Sequence, residues 1–373
     1  MSAALQTQGD LADGPKLLDV DVDDPALRDV LDGGRWKNAD GGLRLALPRA
    51  VIHTEGKRQV RFELVDDDAV ARPSSFVVWL QAARAISLTA TLTPCLAVLL
   101  YGLAAGFTLR PVVAVCAVVG ALVLQLSVNL WNDVEDHARL IDMPGTFGGA
   151  GVIQKGWLSA RQVKRVAVGC LVAGLLLGVP ALLLEPVPLL VIGVVAALGT
   201  MGYSGKPFGL KYRALGDLTV LTLCGPALTL GFSFAAFGQI DVVTTALGLF
   251  FGLAAVGILH VNNWQDAQAD RENGAVTVAG LLGPSSSKVY LVLLYAGALA
   301  AWAWGFSNTS LSVVALVAPA LALLPLAKLI GAVVGASDPS APRLAMVRVQ
   351  AAQVHLLLGV TLCIGLGVAL ALR

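Results

Sequence analysis

The stretch LRPVVAVCAVVGALVLQLSVNLWNDVEDHARLID, residues 109–142, has no charged residue between Arg110 and Asp133 and then turns abruptly acidic. Its apolar run, 111–131, matches the ~20 residues a helix needs to cross a bilayer's hydrocarbon core. Similar runs occur at 86–106, 163–183, 187–202, 217–237, 242–262, 288–306, 311–332 and 352–372, so about nine membrane-spanning helices are expected. Composition agrees. Of 373 residues, 56% are hydrophobic and 14% charged, where a soluble domain would carry about 25% charged residues. The fold class expected is all-α, a polytopic membrane protein with a small N-terminal soluble extension.

A net charge of +1 provides no global field, which excludes bulk attraction to nucleic acid. The cysteines 95, 116, 170, 224 and 363 each sit alone in an apolar run with no CxxC spacing. Neither a zinc site nor a disulfide framework is indicated.

Two domains are expected: a soluble extension over 1–75 and a transmembrane domain over 76–373. Within the extension, Asp19 to Asp32 is acidic and expected to be loosely ordered. RLALPRAVIH and QVRFELV flank a turn at Thr54–Glu55–Gly56–Lys57 and predict a β-hairpin. No basic segment followed by an apolar one opens the chain, so a cytoplasmic N-terminus is expected. Charge placement supports this. With the N-terminus inside, one set of connections holds Arg139, Lys155, Arg161, Lys164, Arg165, Lys206, Lys211, Arg213, Arg271, Lys288, Arg343 and Arg348, and the other little beyond Arg110 and Arg373. The positive-inside rule then puts the richer set, in a cell (inner) membrane, on the cytoplasmic side.

Two of these inner segments are also rich in acid. In the first, Asn129, Asn132, Asp133 and Asp136 recur every three or four residues and share one helical face, with Asp142 following in the loop. Asn129 falls within the membrane, where a polar side chain is costly unless it lines a cavity or finds a partner. The second is HVNNWQDAQADRENG, residues 260–274, where Asn262, Asp266 and Asp270 are four apart and Asn263 is adjacent. Clustered carboxylates at a helix end repel one another unless a cation neutralises them. Hard oxygen ligands in small number suit Mg²⁺, which keeps waters and takes substrate phosphates as further ligands. Two such clusters facing each other would cradle a diphosphate, with Arg84, Lys206, Lys211 and Arg213 as candidates to neutralise the remaining phosphate charge. A lone DxxxD is more often a helix cap or a solvated loop; two Asn/Asp clusters at inner helix ends are not readily explained that way. A transporter would place such acids near the membrane midplane on broken helices, whereas these lie at helix ends.

These residues resemble the UbiA superfamily of intramembrane prenyltransferases, and within it the branch that prenylates 1,4-dihydroxy-2-naphthoate in menaquinone synthesis. The resemblance covers roughly residues 78–373. It rests on NxxNDxxD with a further Asp after five residues (Asn129, Asn132, Asp133, Asp136, Asp142) and on GGAGVIQKGWLSARQV from Gly148 to Val163. It rests also on YSGKPFGLKYRALGD from Tyr203 to Asp217, on Asn262, Asn263, Asp266 and Asp270 followed by Gly274 and Thr277, and on AARAISL around Arg84. Membership implies helices around a central cavity, Mg²⁺ and a prenyl diphosphate held by the two acidic motifs, a lateral opening to the bilayer for the isoprenoid tail, and a small aromatic acceptor. Three features depart from the branch. Leu140 stands where it has Gly, Gln265 where an Arg precedes the first Asp, and Ala275 and Val276 where basic residues follow Gly274. Fewer positive charges beside the diphosphate imply an altered pocket or a different acceptor. The long extension is also atypical.

Other residues carry weaker signals. Tyr203 is either an orienting group for diphosphate or acceptor or an interfacial anchor. Asp217 either holds Lys206 or Arg213 or is an acid at a helix N-terminus. His137 is either a base for the acceptor or a solvated loop histidine, and His260 is a candidate cavity-lining residue. The leading function is Mg²⁺-dependent aromatic prenyl transfer. The alternatives are a membrane terpene cyclase using the same cradle, a prenyltransferase with another acceptor, and, outside enzymes, an ion-coupled transporter.

Overall fold

The computed structural model describes residues 16–37, 42–54, 56–144, 149–307, 309, 311, 318–339 and 341–373. They fall into two compact units, one of residues 1–85 with 127–169 and the other of 86–126 with 170–373.

The first unit opens with strand β1 (Lys16–Asp21), helix α1 (Pro25–Gly33) and strands β2 (Arg35–Lys37), β3 (Leu43–Thr54) and β4 (Lys57–Val65). The strands form one antiparallel sheet in the order β1-β4-β3-β2. The expected hairpin is present as β3–β4, although Glu55 of its turn lies outside the described residues. The loose order expected of Asp19 to Asp32 is not found. Alternation decides the strand: Leu18 and Val20 are fully buried, while Asp19 and Asp21 turn to the other face. There Arg61 grips Asp19 with two bonds of 2.7 and 2.8 Å, and Gln59 donates to Asp21 at 2.7 Å. The acids thus pair across the strands. α1 forms because Asp24 accepts from the Ala26 N–H, Pro25 begins the first turn and Gly34, at φ 66°, ends it. Its Leu27, Val30 and Leu31 join Leu18, Val20, Ala46, Val60, Phe62 and Leu64 in a buried apolar core.

Helix α2 (Ser75–Ala82) follows the sheet. The unit is completed by the end of helix α4 (Pro111–Ala138), the segment up to residue 169 that includes residues 149–156, and the start of helix α5 (Ala160–Leu184).

The second unit holds α3 (Thr89–Ala104), the remaining parts of α4 and α5, α6 (Pro186–Ser204), α7 (Gly216–Thr222), α8 (Leu228–Phe237), α9 (Val242–Glu272), α10 (Val278–Phe306), α11 (Leu323–Val334) and α12 (Val347–Ala371). Phe250, Phe251, Leu247, Tyr295, Ala298, Leu358 and Leu362, all 1% exposed or less, form the centre of its core. Small residues let backbones close up where α9 passes the π-turn between α7 and α8. A Cβ on Gly225 would lie 2.6 Å from the Gly248 carbonyl oxygen, the small-residue packing used where lipid removes the hydrophobic drive between helices.

Among the described residues, eight helices are long and apolar enough to cross a membrane, and Pro319–Val334 is a shorter apolar one. They match the expected runs in place. The expected span 311–332 includes residues 312–317, which lie outside the described residues. The main difference is length. α4 and α9 run on as single helices through the acidic motifs. At 1.5 Å per residue α9 is about 46 Å long against a hydrocarbon core of about 30 Å, so its polar end projects beyond the apolar length.

Candidate functional site

Each acidic motif is held by its own set of partners. In the first unit, Asn129, Asn132, Asp133 and Asp136 lie on the last three turns of α4, and with Asp142 all five are buried, between 2% and 8% exposed. Burying this many polar groups is tolerable only because each is bonded. Asn129 donates to the Ala83 carbonyl at 3.1 Å, and Asn132 donates to Asp136 at 2.8 Å. Asp133 accepts from the Ala150 N–H at 3.2 Å and pairs with the Arg84 guanidinium. Burial alone would pull the Arg84 pKa down. The carboxylates of Asp133, Asp142 and Asp136 outweigh it and hold the guanidinium above its ordinary value. Arg84 therefore serves three carboxylates at once, which leaves the cluster with a formal excess of negative charge.

α4 ends in a Schellman turn. Leu140 N–H bonds to the His137 carbonyl at 3.1 Å and Ile141 N–H to the Asp136 carbonyl at 2.9 Å. The residue this turn needs in the left-handed region is Leu140, at φ 62°. A non-glycine residue in this region is a backbone strain that something must offset. Its side chain is 4% exposed and belongs to the apolar core of the β-sheet and α1.

His137 is not the solvated loop histidine that was one of the two readings. It is 3% exposed, its Nε2–H donates to the Leu31 carbonyl at 3.2 Å, and its Nδ1 faces Gln154 at 3.4 Å. Gln154 in turn donates to the Asp142 carbonyl at 2.9 Å. Gly149 closes the loop at φ 69°, with a Cβ at this position running into the Asp142 carboxylate. Gly149→Ala is accordingly expected to cost about 1–2 kcal/mol from the backbone alone. It should also push Asp142 aside. Lower thermal stability of the purified variant checks the first effect and faster amide hydrogen exchange at Asp142 the second.

In the second unit, Asn262, Asn263, Asp266 and Asp270 occupy the final turns of α9, with Asn263 and Asp270 buried at 7% exposure each. Asp266 accepts from Arg348 at 2.6 Å. Arg348 also donates to the Gln265 side-chain oxygen at 2.6 Å, and the Gln265 amide nitrogen donates to the Leu344 carbonyl at 3.0 Å. The charge deficit expected from Gln265 is thus partly made good, since a guanidinium from the first turn of α12 arrives beside Asp266. Nothing local in sequence announced it, because 82 residues separate the pair.

The loop carrying Lys206, Lys211 and Arg213 is tied to the chain just past Asp270. Val276 N–H bonds to the Tyr212 carbonyl at 3.0 Å and Ala214 N–H to the Val276 carbonyl at 2.7 Å, while Ala275 N–H bonds back to the Asp270 carbonyl at 2.8 Å. The basic loop and the acidic motif are therefore one backbone assembly. Their charged tips are less fixed: Lys206 and Arg213 are exposed, Arg213 reaches the Pro207 carbonyl at 3.4 Å, and Lys211 lies 5.5 Å from the Tyr212 ring. Tyr203 is buried at the end of α6. Asp217 begins α7, bonds to Tyr290 and lines a largely apolar cavity of about 270 Å³ with Leu218, Leu221, Leu253 and Leu294. His260 is buried, hydrogen-bonded to the Ser287 carbonyl at 3.0 Å and edge-on to Tyr290.

No three His, Cys, Asp or Glu side chains among the described residues form a ready-made metal cage. Mg²⁺ does not need one. It binds through one or two carboxylates plus waters and substrate phosphates, and both Asp133 with Asp136 and Asp266 with Asp270 offer such hard oxygen pairs. The excess negative charge around Arg84 fits a divalent cation.

Comparison with known proteins places the chain in a family. The family model described as UbiA prenyltransferase family matches residues 91–350. A zebrafish (Danio rerio) UbiA prenyltransferase domain-containing protein 1 is 30% identical over 71% of this chain and 76% of its own length. The Escherichia coli 1,4-dihydroxy-2-naphthoate octaprenyltransferase is 29% identical over 51% of this chain, and the match spans 63% of that relative's length. Among solved structures, a UbiA homolog from Archaeoglobus fulgidus bound to DMAPP and Mg²⁺ superposes with a TM-score of 0.54 at 14% identity, over 76% of this chain and 98% of that one. That likeness shows the fold. With an all-helical membrane architecture, two Asn/Asp clusters at helix ends and a family model spanning most of its length, the chain belongs to the UbiA prenyltransferase family.

Proposed function

We propose that the protein transfers a prenyl group from a prenyl diphosphate to a small aromatic acceptor within the membrane, with 1,4-dihydroxy-2-naphthoate as the favoured acceptor. The observation that carries this reading is the pair of Asn/Asp clusters at the ends of long apolar helices, one buried and one half-buried, each organised by a guanidinium, Arg84 in one and Arg348 in the other. The relatives' names supply the acceptor. Membrane integration follows from the helices, and the positive-inside bias supports active-site loops on the cytoplasmic side of the cell (inner) membrane.

In this reading Asp133, Asp136, Asp266 and Asp270 are the catalytic metal ligands and Asp142 assists. Asn129, Asn132, Asn262, Asn263, Arg84, Tyr203, Lys206, Lys211 and Arg213 bind substrate. Mg²⁺ held by these carboxylates supplies charge neutralisation for the departing diphosphate. The protein's own side chains do the rest. Asn132 fixes the rotamer of Asp136, and Arg84 with the Ala150 N–H fixes Asp133, so both point oxygens without reorganisation during reaction. Lys206, Lys211 and Arg213 approach the phosphate oxygens from the loop pinned at Val276. The allylic C–O bond breaks with its electron pair leaving on the diphosphate. A ring carbon of the acceptor forms the new C–C bond, and the ring then regains its aromatic electron pair by releasing from that carbon a proton or, where the carbon bears a carboxylate, CO₂. Apolar surroundings keep water from the cationic prenyl group.

The test is diphosphate release by purified protein in lipid, measured with each component omitted in turn. Release should require Mg²⁺, a prenyl diphosphate and the naphthoate together, and a prenylated naphthoid should accumulate. Mg²⁺-dependent release without any acceptor would replace this reading with a terpene cyclase. Solute flux across vesicles with no release would replace it with a transporter.

A further inference from the structure

We propose that the N-terminal β-sheet and α1 act as a brace that sets the turn between Asp136 and Asp142, with Leu140 as its anchor. The inference rests on the metal-ligand reading above for its consequence, but not for its geometry.

Two contacts lead from the sheet module to that turn, and bonds from the linker and α2 that follow the sheet hold the segment beside it. Leu140 sits in the left-handed region and is buried in the same apolar core as Leu18, Leu27, Val30, Leu31 and Phe62. His137 donates to the Leu31 carbonyl near the end of α1, Gln154 reaches His137 Nδ1, and Gln154 also donates to the Asp142 carbonyl. A hydrogen-bonded bridge therefore runs from α1 to the main chain of a candidate ligand. Finally, Arg72 donates to the Gly156 carbonyl, Trp157 donates to the Ala71 carbonyl and Gln81 donates to the Ala150 carbonyl. These bonds fix the segment whose Ala150 N–H holds Asp133.

At φ 62°, Leu140 stands at a position that favours glycine. A glycine would adopt this backbone without strain and would leave the turn free to move. A leucine is tolerable only if its side chain gains more by burial than its backbone loses, and the sheet module provides that burial. The two departures noted in the sequence, Leu140 and the long extension, are then one feature: the leucine is the plug and the extension is its socket. The family model begins at residue 91 and does not include the module.

Leu140→Gly and Leu140→Met in the full chain test this, with two readouts. The first is amide hydrogen exchange at Leu140, Ile141 and Asp142, whose N–H groups close the turn on the His137 and Asp136 carbonyls. Leu140→Gly should speed their exchange by about tenfold or more, equivalent to about 1.4 kcal/mol, while amides of α9 keep their protection and Leu140→Met stays close to the parent. The second is the Mg²⁺ concentration giving half-maximal diphosphate release, which should rise at least severalfold in Leu140→Gly with a smaller change in the maximal rate. Should Leu140→Gly fail to fold, Gln154→Ala cuts the bridge from the other side and should shift the same amides and the same Mg²⁺ midpoint. Unchanged exchange at these amides in Leu140→Gly, or slower exchange, overturns the brace. Faster exchange with an unchanged Mg²⁺ midpoint supports the brace and removes Asp142 from the metal ligands, whereas loss confined to a uniform drop in thermal stability overturns the brace. A chain that releases no diphosphate under any condition would undo the functional reading, and the exchange result would still decide whether the module holds the turn.

Discussion

Asp133→Asn is expected to reduce diphosphate release by about 10²–10³-fold, the loss typical when a preorganised electrostatic group is removed from the reacting charge. The substitution preserves shape and removes one negative charge, so its effect isolates electrostatics. Two effects act together. The oxygen pair offered to Mg²⁺ is reduced to one full carboxylate of the candidate pair on that helix, Asp136, and the half-buried Arg84 guanidinium loses the partner it touches directly. Breaking a fully buried ion pair from one side costs about 3–5 kcal/mol; the Arg84 side chain is 30% exposed and still faces Asp136 and Asp142, so the cost here should fall well below that range. The expected outcome is a folded protein with slightly lowered thermal stability, a strongly raised Mg²⁺ requirement and little turnover. Asp266→Asn should act in the same direction. Glu135→Gln, on the same helix and buried to 9% exposure but not among the candidate ligands, should keep most of the activity. If both aspartate variants kept the parent rate at low Mg²⁺, the assignment of these carboxylates as metal ligands would be wrong.

Much of this was legible in the sequence because membrane helices announce themselves by length and hydropathy alone. The run 111–131 needs no partner to be recognised as a span, and spacing by three and four on a helix places Asn129, Asn132, Asp133 and Asp136 on one face wherever that helix goes. What was not legible depended on contacts made at a distance. Asp19 and Asp21 looked like part of a loose acidic run because the residues that pair with them, Arg61 and Gln59, arrive through a sheet register fixed about 40 residues later. His137 looked solvated because its acceptor is a backbone carbonyl in α1, a kind of partner that leaves no trace in residue identity. Leu140 was visible as an oddity, and its meaning required both the φ of its backbone and the core that receives its side chain.

The pair Gln265 and Arg348 provides a sharper test, because it predicts a rescue. The family resemblance led us to expect an arginine at 265, and the structure shows Arg348 reaching Asp266 while the Gln265 side chain holds the guanidinium from behind. Arg348→Gln should therefore lower activity by about 10–100-fold, the range seen when an outer partner of a metal ligand is lost. It should also weaken folding by about 1.5–3 kcal/mol, the value of a hydrogen bond to a charged group. Gln265→Arg alone places two guanidinium groups beside one carboxylate and should also be impaired. The double exchange Gln265→Arg with Arg348→Gln returns one guanidinium and one amide to the same pocket, so its activity should exceed that of Arg348→Gln by at least tenfold. Such non-additivity is what contact between the two sites requires. Losses that simply multiply would mean that Arg348 acts elsewhere, and that the positive charge absent at 265 is not supplied from α12.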